Sequence, residues 1–421
     1  MITALILFFI TYVLMLSLPN HRAWVALSSA AVFIFFRYIS PAEALAAVDW
    51  NIILMLTGTM GVVELFIQSK MPMRMSEALL TVVPNTCWAI IVLSLFSGLI
   101  SAFVDNVATV LMLAPIGLEV SKRLHVSPVP TVIAIAVSSN LQGAATLVGD
   151  TTSILLGSYG GLDFFDFFWM NGNPGVFWSV ELGALATIPV FLILFRKYKN
   201  PVTAKIQTKV SDYLPTFLLL GIIVCLITAS FLPNKPALIN GYICMTMLAI
   251  GIFAKLFRKD GGKAIVSVVQ AIDYQTLLLL AGLFIIIQSI TNAGIIDALA
   301  SMLVKLGGSH LFLMYTILVF ASVIISAFID NIPYVATMLP VVSGISASMG
   351  VEPYILYFGL LIGATLGGNM TPIGASANVT GIGILRKAGY QVKNSDFFRI
   401  GIPFTLVAVF VGYIFIWTVW A

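Results

Sequence analysis

The chain is a succession of apolar runs of about twenty residues separated by short polar breaks, and a run of that length is what a helix needs to cross hydrocarbon about 30 Å thick. With 60% of residues hydrophobic and only 9% charged, the composition is that of a polytopic membrane protein with no separate soluble domain. The runs place helices near residues 1–18, 22–39, 50–68, 129–158 and 176–196, then 213–232, 238–257, 273–290, 353–386 and 400–420. The first run lacks a basic leader and a small-residue cleavage site, so it reads as a retained helix. The net charge of +4 comes from basic residues scattered in short loops, which sets membrane orientation and implies no nucleic-acid partner.

Two further stretches, 86–120 and 311–343, carry one motif twice: SAFVDNVATVLMLAP at 101–115 returns as SAFIDNIPYVATMLP at 326–340. Each stretch is apolar and interrupted at its centre by Asp-Asn, which suits a helix that enters, turns at a polar tip and leaves on the side it came from. Loop charges support re-entry. If both stretches are re-entrant, all of the 21 basic residues except Arg37, Lys235 and Lys305 fall on one side, the cytoplasmic one, and both termini lie outside the cytoplasm. If each crossed once, the basic residues would divide almost evenly.

A shift of 225 residues takes Asp105, Asn106 and Pro115 to Asp330, Asn331 and Pro340, and Gly143, Thr146 and Gly149 to Gly368, Thr371 and Gly374. Asp49-Trp50 answers to Asp273-Tyr274. Five crossings per half make the copies inverted, an architecture of secondary transporters whose sites lie near the midplane. The expected fold is therefore all-α, with ten transmembrane helices and two re-entrant hairpins in two inverted repeats. Residues 1–200 form the first repeat, 201–212 a cytoplasmic linker and 213–421 the second.

Residues 129–158 and 353–386 are too long for straight spans, and their centres are rich in glycine, hydroxyls and amides: NLQGAATLVGDTTS and TLGGNMTPIGASAN. They are expected to be broken helices, since Pro372 cannot donate a backbone hydrogen bond and unwound backbone can serve ions. A carboxylate at mid-bilayer costs roughly 2.5–3.5 kcal/mol, and Asp105, Asp150 and Asp330 would place three there. With no Lys or Arg expected in the core, these acids must be protonated or hold a cation for part of the cycle. The coupling ion, H+ or Na+, is thus assigned to Asp105, Asn106, Asp150, Asp330 and Asn331. The substrate, a small molecule or ion, is assigned to Thr146, Thr151, Thr152, Ser153, Asn369, Thr371, Ser376 and Asn378. Capping of the outgoing half-helices is the simpler role open to both tip aspartates.

Other polar residues read as structural. Glu64, Glu119 and Glu181 lie toward helix ends and are expected to be solvated; His21, His125 and His310 fall at loops. Trp169 and Trp178 suit an interfacial belt facing membrane lipids. Cys87, Cys225 and Cys244 have no ligand spacing, and no cofactor or transition metal is implied.

The pair SAFVDN and SAFIDN, with GASAN at Gly374–Asn378, resembles the ion transporter superfamily across essentially the whole chain, in particular its arsenite permease and P-type permease branch with a citrate-transporter-like domain. The resemblance implies a homodimer in the cell (inner) membrane, each protomer having a fixed scaffold and a mobile part made of hairpins and broken helices that moves the site in elevator fashion. Sodium-coupled dicarboxylate members carry Ser-Asn-Thr at the tips, where this chain has Asp105-Asn106-Val107 and Asp330-Asn331-Ile332. GDTTS at Gly149–Ser153 also departs from the Gly-Asp followed by prolines of P-type relatives. The reading is a non-enzymatic secondary transporter of a small anion, oxyanion or weak acid. A sodium/proton antiporter, a di- or tricarboxylate transporter, a passive channel and an intramembrane aspartyl protease are the alternatives.

Overall fold

The computed structural model describes residues 1–124, 126–202, 207–257, 261–307 and 310–421. His125, Lys205, Arg258 and Lys259, all read above as loop residues, lie outside the described residues, as does part of the 201–212 linker. Among the described residues the only strands are the short pair Trp169–Met170 and Asn173–Pro174; the remaining regular structure is helical. The molecule is an all-α polytopic membrane protein.

Its spans are built from shorter pieces than the sequence suggests. Among the described residues six helices are long and apolar enough to cross a membrane: Trp50–Gln68, Val176–Phe195, Ile239–Leu256, Gly261–Asn292, Asn331–Met349 and Asn394–Trp420. Thr86–Ser101, Leu214–Ser230, Leu311–Ser326 and Tyr354–Met370 are apolar but shorter. The first two expected helices are Ile2–Ser17 and Arg22–Phe35, about 24 Å and 21 Å long at 1.5 Å per residue, and the chain bends by 112° between them at Pro19. Arg37, in the left-handed region, ends the second piece well before residue 39.

Both interrupted stretches are helix–turn–helix hairpins, Thr86–Ser101 with Asn106–Arg123 and Leu311–Ser326 with Asn331–Met349. Each turns at its Asp. Both long segments are broken as expected, into Pro128–Gly143 with Thr151–Gly160 and Tyr354–Gly367 with Ser376–Lys387. The first half of each broken helix packs between the two arms of its own hairpin, so the unwound stretches come to the hairpin tips.

Around them, Ile239–Leu256 packs along Trp50–Gln68 and Arg22–Phe35 along Tyr274–Asn292. The cap of each central scaffold helix is matched: Asp49 accepts from Ile52 N at 3.1 Å and Asp273 from Thr276 N at 3.1 Å. Four short helices were not expected: Pro41–Ala47, Met71–Leu80, Gly261–Ala271 and Ile295–Gly307. Pro41–Ala47, Met71–Leu80 and Ile295–Gly307 are too short to cross, while Gly261–Ala271 leads into Tyr274–Asn292 as the first part of the Gly261–Asn292 span. Glu77, on Met71–Leu80, ties the linker down by accepting from Gln207 N and Thr208 N, both at 2.9 Å.

Candidate transport site

The two tips are built alike, for a reason visible in the residues. A half-helix beginning in the interior leaves its first N–H groups without partners, and a carboxylate one residue earlier satisfies them. Asp105 Oδ2 accepts from Val107 N at 3.1 Å and Ala108 N at 3.4 Å; Asp330 Oδ1 accepts from Ile332 N at 3.2 Å. Each tip is pinned to its broken helix by a matched pair of hydroxyls. Thr146 Oγ1 donates to Ala102 O and Thr371 Oγ1 to Ala327 O, both short bonds. The approach is close enough to demand glycine. A Cβ at Gly149 would stand 2.6 Å from the carbonyl oxygens of Gly143 and Ser101, and one at Gly374 would stand 2.5 Å from Gly368 O and 2.8 Å from Ala327 O. Each unwound stretch is therefore a nest of inward-turned carbonyls.

Between tips and scaffold lies a cavity of about 550 Å³. Asp105, Asn106, Asp150, Thr151, Asp330, Asn331 and Ser376 line it, so residues from both hairpins and both broken helices meet at one hollow. Thr59, Met60, Val63, Glu64 and Ile67 supply one face of Trp50–Gln68, and the joint 270–276 supplies a further part of the scaffold wall. Thr146, Thr152, Ser153, Asn369, Thr371 and Asn378 stand one layer behind, buried and absent from the lining. Thr152 Oγ1 donates to Asp150 Oδ2 at 2.9 Å and meets Thr365 Oγ1 at 3.0 Å. Asn378 Nδ2 donates to Gly368 O at 3.1 Å and Thr371 O at 3.2 Å, and Ser153, its counterpart in the first half, donates to Gly143 O at 3.5 Å. Asn369 Nδ2 reaches Val137 O at 2.9 Å.

The halves are joined across the centre by a residue the sequence analysis passed over. Asn140 accepts from Asn106 Nδ2 at 3.0 Å and donates to Thr365 O at 2.7 Å, coupling the first tip to the second broken helix. Its place in the NLQG stretch was the available signal. Asn331, the counterpart of Asn106, stays within its own half, its amide nitrogen facing Ser326 Oγ at 2.7 Å, Gly374 O at 3.2 Å and Ala364 O at 3.3 Å.

Two expectations about charge are corrected. The core was expected to hold no basic side chain, yet Arg22 Nη1 lies 2.9 Å from Asp330 Oδ2. The bend after Ser17 carries the Pro19–Arg22 turn to the second tip, where a loop-charge count had put it at the membrane surface. Glu64 was expected in solvent, but it lines the cavity, its Oε1 accepting from Gln68 Nε2 at 2.8 Å and Ser267 Oγ at 2.5 Å. Glu181 is also drawn inward, its Oε1 buried with no hydrogen-bond partner among the described residues, whereas Glu119 is exposed beside Arg123. His21 and His310 are exposed, Trp169 and Trp178 are exposed near helix ends, and the three cysteines are free.

The result is an acidic hollow. Glu64, Asp105, Asp150, Asp273 and Asp330 all line it, and no Lys, Arg or His among the described residues does. Among the described residues neither Asp105 nor Asp150 forms an ion pair.

The family model described as "Citrate transporter" matches residues 12–363, most of the chain. The chain is a member of the citrate transporter family. Its relatives include the "46 kDa membrane protein" of Mycobacterium leprae, 30% identical with 99% of this chain and 98% of that protein covered. An uncharacterised transporter of Mycobacterium tuberculosis, Rv2684, is 31% identical over the same shares. The human P protein is 26% identical over 87% of this chain and 53% of its own length. Among solved structures, the Alcanivorax borkumensis YdaH transporter, described as having an unusual topology, superposes with a TM-score of 0.62 over 95% of this chain and 97% of that one, at 14% identity. That likeness is one of fold. As a citrate transporter family protein the chain is an integral, multi-pass membrane transporter whose substrate is an ion or small molecule.

Proposed function

We propose that this member of the family is a secondary active transporter of elevator type, working as a homodimer in the inner membrane, in which Asp105 and Asp150 load and release the coupling proton or Na+. The observation that carries the reading is the shared cavity, where these two carboxylates have no basic partner among the described residues. Uncompensated carboxylates in a low-dielectric site require a counter-ion, and a cation that leaves when the site is re-exposed is a coupling ion. The carbonyl nests behind the tips, with Ser153, Asn369, Thr371 and Asn378 bracing them, are the oxygen-rich surroundings a hard cation prefers.

The substrate would occupy the hollow beside Thr151 and Ser376. Five carboxylates repel a bare polyanion, so citrate, another small acid or an oxyanion would enter with protons or cations. In this arrangement the cavity meets the C-terminal half of Trp50–Gln68 and the joint before Tyr274, ends that loop charges assign to the cytoplasmic side with both termini opposite. At the other ends Ser158 donates to Asp49 and Lys235 pairs with Asp163. This supports an inward-facing conformation.

The test is gradient-driven uptake of radiolabelled citrate, succinate, sulfate and arsenite into proteoliposomes. Asp105→Asn and Asp150→Asn are expected to abolish the response to a Na+ or proton gradient while the purified proteins keep their wild-type elution profile. Wild-type coupling in both variants would refute the assignment. A sodium/proton antiporter is the second reading, favoured by a lining with acids and amides but no base; Na+ alone would then collapse a pH gradient with no organic solute present.

A further inference from the structure

The two tips share a motif but not an electrostatic state. Asp330 is fully engaged: Oδ1 accepts the Ile332 N–H, and Oδ2 accepts from Ser376 Oγ at 3.0 Å and from Arg22 Nη1 at 2.9 Å. Asp105 spends one oxygen on its cap, and among the described residues no hydrogen bond reaches the other. We propose that Arg22 is a tethered cation that permanently occupies, for the second tip, the place a coupling ion takes at the first, so that only the Asp105–Asp150 side is loaded from solution.

Three features support the assignment. Arg22 is held in place: its Nε donates to Met15 O at 3.4 Å across the 112° bend, and Ile2–Ser17 is itself fastened to the same hairpin through Tyr12, whose hydroxyl donates to Pro333 O at 2.7 Å and meets Thr337 Oγ1. The pair is largely shielded, with side-chain exposures of 24% and 10%, a setting in which removing one partner leaves an expensive bare charge. Among the described residues no other base competes. Asp105, Asp150, Asp273 and Glu64 line the same cavity as Asp330, the second broken helix offers uncharged Ser376, and Asp297 and Lys305 on the neighbouring Ile295–Gly307 are exposed and form no ion pair among the described residues. Guanidinium stays charged at any pH the protein meets, so unlike a lysine it cannot release its acid by losing a proton.

The inference builds on the coupling role proposed for the first tip, but its test needs no transport. Full-length protein in nanodiscs is compared as wild type, Arg22→Gln, Arg22→Lys and Arg22→Gln with Asp330→Asn, in choline chloride and in NaCl, at pH 8 and at pH 5.5. Arg22→Gln is expected to lower the apparent unfolding midpoint by roughly 5 °C in choline at pH 8 and to regain it on adding Na+ or protons. The double variant should need neither, and equilibrium binding of radioactive Na+ should rise in Arg22→Gln by about one ion per protomer if Na+ is the ion that restores it. If Arg22→Gln does not fold, folding of the double variant supports the proposal and failure of both overturns it. An unchanged midpoint, or a loss that neither cations nor Asp330→Asn repairs, overturns it as well. Repeating the series with Asp105→Asn separates the two readings, because the Arg22 effect persists there even if the first tip binds no ion.

Discussion

Gly374→Ala is the sharpest test of how the second tip is seated. An added Cβ would lie 2.5 Å from Gly368 O, 2.8 Å from Ala327 O and 2.9 Å from Ser326 O, all backbone atoms that cannot rotate away. Ordinary contact begins at 3.4 Å, so the tip must retreat by about 0.6 Å at Ala327 O and the unwound stretch itself must open by about 0.9 Å at Gly368 O. Separation on that scale also pulls Thr371 Oγ1 off Ala327 O. Overpacking costs about 1–3 kcal/mol and a lost buried hydrogen bond about 0.5–1.5 kcal/mol, giving a destabilisation of about 2–4 kcal/mol. Gly383→Ala, on Ser376–Lys387 just after the break, is the control: among the described residues nothing lies within 4 Å of its Cβ, and relief of glycine's entropy should stabilise by roughly 0.5–1 kcal/mol. Apparent unfolding midpoints in nanodiscs and hydrogen exchange across residues 326–332 report both. Gly374→Ala should lower the midpoint and speed exchange at the tip, while Gly383→Ala does neither. If both substitutions behave alike, the carbonyl nest is not the constraint described here.

Two further outcomes follow from the central and outer contacts. Asn140→Leu strands Asn106 Nδ2 and Thr365 O together, so it should destabilise by about 2–4 kcal/mol and loosen the first tip in hydrogen exchange; an unchanged exchange pattern would show that the amide bridge does not join the halves. Lys235→Met removes the ion pair to Asp163, a partly exposed contact worth up to about 1 kcal/mol, and should raise maleimide labelling of Ser158→Cys in a Cys225→Ser background by up to roughly fivefold. An unaltered labelling rate would remove that contact from the closing face.

The parts of the site that were legible in sequence are those whose cost can be counted residue by residue. An Asp-Asn inside an apolar stretch must end one half-helix and start another, and Gly with hydroxyls at the centre of an over-long run must break it; both tips and both broken helices stand where that reasoning put them. Glu64 reads in sequence as a solvated residue because its depth along Trp50–Gln68 says nothing of which neighbour it faces. Thr146 and Thr371 were read as substrate residues, and in the structure their hydroxyls fasten the tips from behind. The amphipathic pieces Met71–Leu80 and Ile295–Gly307 do not read as spans because, at 10 and 13 residues with charged side chains on each, they are too short and too interrupted to cross.

What the amino-acid order determined alone is local: apolar length dictates helices, buried acid and glycine dictate where they stop, and the repeat at a shift of 225 residues dictates that both halves do so alike. Tertiary structure decided which charges meet. Asp105 and Asp330 sit in nearly identical words, but a bend more than three hundred residues away in sequence from the second tip delivers Arg22 to Asp330, while Asp105 has no ion pair among the described residues. Electrostatic energy depends on distance through space in a medium of low dielectric, and no pattern along the chain encodes that distance.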